Sequence, residues 1–152
     1  MNLPHALTTA PLAPPSHFEA IGGQAAVDRL VNAFYAQMDS RPGATGIRAM
    51  HEPDLCHTKA VLRLYLAEWL GGPKDYTAQR GHPRLRMRHA TFPIGVPERD
   101  AWLACMDAAM QQTGVPADLH SVLMAAFFKT ADWMRNTPTP PAIPATNPKK
   151  AP

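Results

Sequence analysis

Nine consecutive residues, Gly81-His82-Pro83-Arg84-Leu85-Arg86-Met87-Arg88-His89, hold two imidazoles and three alternating guanidinium groups. A neutral imidazole ligates a metal through one ring nitrogen. Guanidinium groups fork onto carboxylates. Thirteen positions beyond His89 stands Trp102, at the head of an apolar stretch. One ligand imidazole beside several carboxylate binders is what a haem requires: an axial bond to iron and cations for two propionates.

Both histidines are chemically competent, and the bland readings stand beside the sharp one. His89 is followed by the apolar anchors of Ala90-Thr91-Phe92-Pro93-Ile94, whereas His82 sits at a Gly-Pro bend. A lone histidine in either place is more often a structural residue than a ligand. An arginine run is more often a solvated face. On that view Arg80–Arg88 belongs to a non-haem helical module that docks an acidic partner or nucleic acid. Tyr76 adds a hydroxyl to the same region. Tyr35 and Trp102 fall on apolar helical faces, where aromatic residues are ordinarily core, yet each has one donor that needs a partner when buried. By default His51, before Glu52-Pro53, and Thr58, on the first turn of a helix, are surface groups.

The elements that position these groups are helical. Val27, Leu30, Val31, Phe34, Tyr35 and Met38 recur at three- and four-residue spacing and predict a helix over 25–38. Residues 39–53 contain Pro42, Gly43, Gly46 and Pro53 and read mostly as loop. Asp54 caps a second helix that runs to Trp69 and is stopped by Gly71-Gly72-Pro73. Residues 74–95 show no sustained period, so they read as a long connection with at most one short helix near Arg84–His89. Connections of that length are uncommon in small domains unless functional, and a bound cofactor would hold this one. Pro97-Glu98 opens a third helix, ended by Gly114, and 118–136 reads as the fourth. A turn at Phe18–Ile21 is stopped by Gly22-Gly23. Nothing alternates as a strand would. The chain is expected to be all-α with four main helices.

The chain has 152 residues, 45% hydrophobic and 18% charged, which allows one domain with an ample core. Its 17 prolines crowd both ends, so 1–15 and 138–152 are expected to be flexible tails around a folded 16–137. A net charge of +3 is too small for a nucleic-acid footprint. No apolar run approaches a membrane span and no secretory signal opens the chain, so a soluble cytoplasmic protein is expected. Cys56 and Cys105 form no paired motif and read as buried, reduced thiols.

Several of these residues together resemble a known family. Phe18-Glu19-Ala20-Ile21-Gly22-Gly23, Phe34-Tyr35, Trp69-Leu70-Gly71-Gly72-Pro73, Tyr76, the segment Gly81 to His89, Phe92 and Glu98 to Met106 look like a group II truncated haemoglobin. The resemblance runs from about Phe18 to Thr137. It implies a truncated globin: a two-over-two helical sandwich around haem b, with a five-coordinate iron that binds O2 and other diatomics such as NO or CO. By the same resemblance His89 is the iron ligand and His82 is not. Tyr35 and Trp102 become distal donors, and Thr58 and Leu62 face the ligand. Tyr76, Arg86, Arg88 and Phe92 lie against the haem. The family often places a tyrosine or phenylalanine after the second helix; here Met50 or His51 takes that place, and a polar pocket favours His51. The implied roles are oxygen storage or NO and peroxide detoxification, with an unidentified reductase as a possible partner and a monomer or homodimer as the assembly.

Overall fold

The computed structural model describes residues 12–138. Residues 1–11 and 139–152, most of the two expected tails, lie outside the described residues. Among the described residues the secondary structure is entirely helical. The helices are α1 (His17–Ile21), α2 (Gly23–Ser40), α3 (Thr45–Ala49), α4 (Cys56–Trp69), α5 (Asp75–Arg80), α6 (Leu85–His89), α7 (Val96–Gln112) and α8 (Ala117–Trp133).

The four expected helices are the long ones: α2, α4, α7 and α8. Helix α2 buries Val27, Leu30, Val31, Phe34, Tyr35 and Met38, the residues whose spacing predicted it. It packs along both α4 and α7, and α7 packs along α8. The α2–α4 and α7–α8 pairs thus form the two layers. Between them lie Phe34, Leu30, Met38, Leu66, Met106 and Met110, all essentially without exposure. Across the second layer Arg99 pairs with Asp132 at 2.7 Å, and His120 meets Asp107 at 2.7 Å.

The glycine pair after α4 has a steric cause. Gly71 adopts φ +93° and turns the chain out of the helix. A Cβ on Gly72 would stand 2.6 Å from the Phe18 ring and 2.7 Å from the Ala67 carbonyl. The missing side chain lets α1 close on the end of α4, where the Phe18 amide donates to the Leu70 carbonyl at 2.8 Å. At the head of α7, Glu98 reaches back to accept the Gly95 amide at 2.8 Å, with Pro97 in the first turn.

Four expectations need correction. The 39–53 stretch is not mostly loop: a 3-10 turn (Pro42–Ala44) leads into α3. Burial of Ala44 and Ile47 drives this, a signal too sparse for a periodic pattern. The 74–95 connection holds two helices rather than one. Helix α5 has a single buried residue, Tyr76, so no period was readable, although Asp75 and Arg80 suit its two ends. Helix α8 ends at Trp133 rather than at Asn136, because Asn136 bonds to a distant segment instead. Finally, Cys105 is buried but Cys56 is exposed, because α4 turns its first residue to solvent.

Candidate functional site

Helix α6 is preceded by its cap residue Arg84, the one non-glycine residue with positive φ (+45°) among the described residues. The His82 ring stabilises this turn: its Nδ1 accepts the Arg84 amide at 3.1 Å. That use of Nδ1 gives His82 a turn role. His89 closes the helix. Its Nδ1 lies 2.7 Å from the Leu85 carbonyl one turn earlier, so Nδ1 carries the proton and donates. This fixes the ring and leaves Nε2 with its lone pair and, among the described residues, no protein partner. A second nitrogen pinned to a carbonyl is how ligand imidazoles are held.

Asn136, just past α8, ties down the chain around His89. Its Oδ1 accepts the Ile94 amide at 2.8 Å. Its Nδ2 donates to the Phe92 carbonyl at 2.8 Å and to the His89 carbonyl at 3.3 Å. Asn136 was not a candidate in the sequence. Nothing in residue type or spacing links it to His89 across 47 positions.

A second group of candidates meets around the C-terminal half of α2. The Tyr35 ring packs edge-on against Phe34 at 5.0 Å and against His51 at 5.8 Å. Phe34 in turn touches Trp102 at 5.2 Å, and Trp102 touches Phe127 at 5.5 Å. His51 is therefore a neighbour of Tyr35. The Ile47 carbonyl lies 2.7 Å from His51 Nδ1, and Arg48 braces the loop by donating to the Glu52 and Pro53 carbonyls at 3.0 and 3.1 Å. Tyr35 is only 4% exposed, and burial pushes its phenol up to about 12. It therefore remains a donor. Neither the Tyr35 hydroxyl nor the Trp102 indole has a hydrogen-bond partner among the described residues, and Trp102 is only half-buried.

The remaining candidates are spread around these two groups. Leu62 and Thr58 lie half-buried on α4, one turn apart. Tyr76 is buried and edge-on to Tyr65 at 5.7 Å. Arg86 lies over the Trp133 ring at 5.3 Å. Arg88 turns back, its Nε donating to the Pro83 carbonyl at 2.9 Å. Phe92 is 37% exposed. The structure does not gather Tyr76, Arg86 and Arg88 into one anion cradle. A hollow of about 260 Å³ between Tyr65, Leu85, Met87 and Trp133 is flanked by Arg84 and Arg86.

The donor set fits one kind of metal group. Among the described residues, no three His, Cys, Asp or Glu side chains gather to hold a bare ion. A haem needs only one protein nitrogen, because its porphyrin supplies the other four, and His89 Nε2 is such a nitrogen. Residues 16–136 match the family described as bacterial-like globin. The chain belongs to this family. Within it, the chain is similar to the group 2 truncated hemoglobin YjbI of Bacillus subtilis (strain 168), with 37% identity over 119 residues, 78% of this chain and 87% of the relative. Two solved structures superimpose closely. The hemoglobin of Chloroflexus aurantiacus has 45% identity and a TM-score of 0.75, covering 82% of this chain and all of the other. The group II 2-on-2 hemoglobin of Agrobacterium tumefaciens has 41% identity and a TM-score of 0.79, covering 84% and 98%.

The globin is therefore of the group II truncated type, with the two-over-two fold. Its cofactor is haem b and it is a haem-based binder of gases. Membership displaces the reading of Arg80–Arg88 as part of a non-haem docking module. No helix among the described residues is long and apolar enough to cross a membrane.

Proposed function

We propose that this globin binds O2, and also NO and CO, at a five-coordinate iron held by His89, inside a pocket with polar donors. The haem, when bound, supplies the iron to which the gas attaches. The observation that carries this reading is the His89 ring, with Nδ1 held by the Leu85 carbonyl and Nε2 left to ligate. Arg86 and Tyr76 would meet the propionates from separate places, Arg88 would join them only by leaving its bond to the Pro83 carbonyl, and Phe92 would flank the proximal side. Leu62 and Thr58 border the gas site from α4.

Tyr35, Trp102 and His51 face the gas from the opposite side. The direct Tyr35–His51 contact and the link from Tyr35 to Trp102 through Phe34 support one distal cluster. A diatomic that gains negative charge on its outer atom draws hydrogen bonds from these donors. A bond to a charged acceptor is worth about 1.5–3 kcal/mol, and about 1.4 kcal/mol slows escape tenfold. Slow release suits NO or peroxide detoxification, or storage, better than rapid delivery. Turnover then requires a reductase as partner.

The test is the visible spectrum of purified holoprotein. His89→Ala should abolish the proximal-histidine signature, and His82→Ala should keep it. A His89→Ala protein with the wild-type ferrous spectrum refutes the assignment.

A further inference from the structure

Helix α6 has five residues and contributes no buried side chain. It is also absent from the closely packed helix pairs. Packing is therefore a weak restraint on the segment that presents His89, and hydrogen bonds must supply the rest. Several are local, among them the Phe92 amide to the His89 carbonyl at 3.0 Å, whereas the long-range ones meet at Asn136 and Thr137. Asn136 accepts from the Ile94 amide and donates to the carbonyls of Phe92 and His89. The backbone completes the pairing: the Asn136 amide donates to the Ile94 carbonyl at 2.8 Å, and the Thr137 amide to the same oxygen at 3.1 Å. Gly95 permits the approach, since a Cβ there would stand 2.7 Å from Thr137 Oγ1.

Only a carboxamide can do this. It offers two donor hydrogens and an acceptor on one short side chain. Aspartate keeps the acceptor but sets a negative oxygen against two carbonyls. Alanine loses all three bonds.

We infer that Asn136 is a positioning residue for the proximal ligand: by fixing the His89 carbonyl and the turn after it, Asn136 sets where the imidazole stands and how firmly haem is retained. The inference rests on the proposed role of His89. The restraint acts from the far end of α8 on the carbonyl of the ligand residue itself. It complements the ring bond to Leu85, which sets rotation but not the placement of the helix.

The test uses full-length holoprotein with Asn136→Ala and Asn136→Asp. Haem loss is followed by transfer to excess haem-free myoglobin. The iron–histidine stretching band of the ferrous, ligand-free protein is read by resonance Raman, and denaturation midpoints are recorded in parallel. Haem loss should be fastest in Asn136→Asp, at least tenfold above wild type, with Asn136→Ala between them. The band should shift or broaden in both variants. If Asn136→Asp matches wild type in haem loss and in the band, the inference is overturned. It is also overturned if both variants lower only the denaturation midpoint. A wild-type protein without any iron–histidine band overturns the His89 assignment first, and this inference with it, and is recognisable because no variant is needed to see it.

Discussion

Tyr35→Phe separates the distal chemistry from the packing that surrounds it. The ring contacts with Phe34 at 5.0 Å and His51 at 5.8 Å survive the change, so only the hydroxyl is lost. That hydroxyl has no hydrogen-bond partner among the described residues, and its removal strips nothing from the fold. Its loss leaves no buried partner unsatisfied, so the haem-free variant should keep its stability to within about 0.5 kcal/mol. Gas release should change. Loss of a donor worth about 1.5–3 kcal/mol predicts O2 dissociation faster by roughly tenfold to a hundredfold. Stopped-flow displacement of O2 by CO gives that rate, and urea unfolding of the apoprotein gives the stability. A pH series adds a third reading. Tyr35 ionises near 12 in the folded state against 10.0 normally, because burial disfavours the phenolate. Between pH 10 and 12 the folded chain keeps a proton that the unfolded chain has released. Stability tied to Tyr35 is therefore intact below pH 10 and is lost as pH rises towards 12, by about 2–3 kcal/mol in all. The phenylalanine variant should escape this share of the alkaline loss. Unchanged O2 release, or a clear loss of apoprotein stability, would refute the reasoning.

Gly72→Ala should destabilise by about 2–4 kcal/mol in thermal or urea unfolding, since its Cβ meets the Ala67 carbonyl at 2.7 Å and the Phe18 ring at 2.6 Å. Arg84→Gly should relieve the left-handed conformation at φ +45° and raise the unfolding free energy by roughly 1 kcal/mol; a loss of stability would show that the arginine side chain outweighs the strain. Asp132→Asn should lower stability at neutral pH. The guanidinium of Arg99 holds the Asp132 carboxyl below its usual range, so the stability it contributes is present above the unfolded carboxylate pKa and fades as pH falls. The difference from wild type should therefore shrink in acid.

The long helices and the Gly81–His89 run were legible because their signals are local, whereas Tyr35, Trp102 and His51 came together only through the family resemblance. Apolar spacing marks α2, and the run from Gly81 to His89 stands out by composition. His82 and His89 were chemically alike in sequence. They separate in the fold because one Nδ1 accepts from the Arg84 amide and the other lies on the Leu85 carbonyl. The preference for His51 gains support from a ring contact with Tyr35 that no spacing encodes. Helix α5 escaped notice because six residues with one buried side chain cannot show a period. Asn136 escaped for a different reason. Its partners lie more than forty positions away, and an asparagine after a helix looks like any other end signal.

The placement of that asparagine also orders events in time. A ribosome adds about 5–20 residues per second. The stretch holding His89 is therefore made roughly 2–10 seconds before the residue that fastens it, 47 positions later. Throughout that interval the nascent proximal segment has no latch. On the proposed role of Asn136, stable capture of the prosthetic group awaits the final helix, however early the remaining layers have begun to collapse.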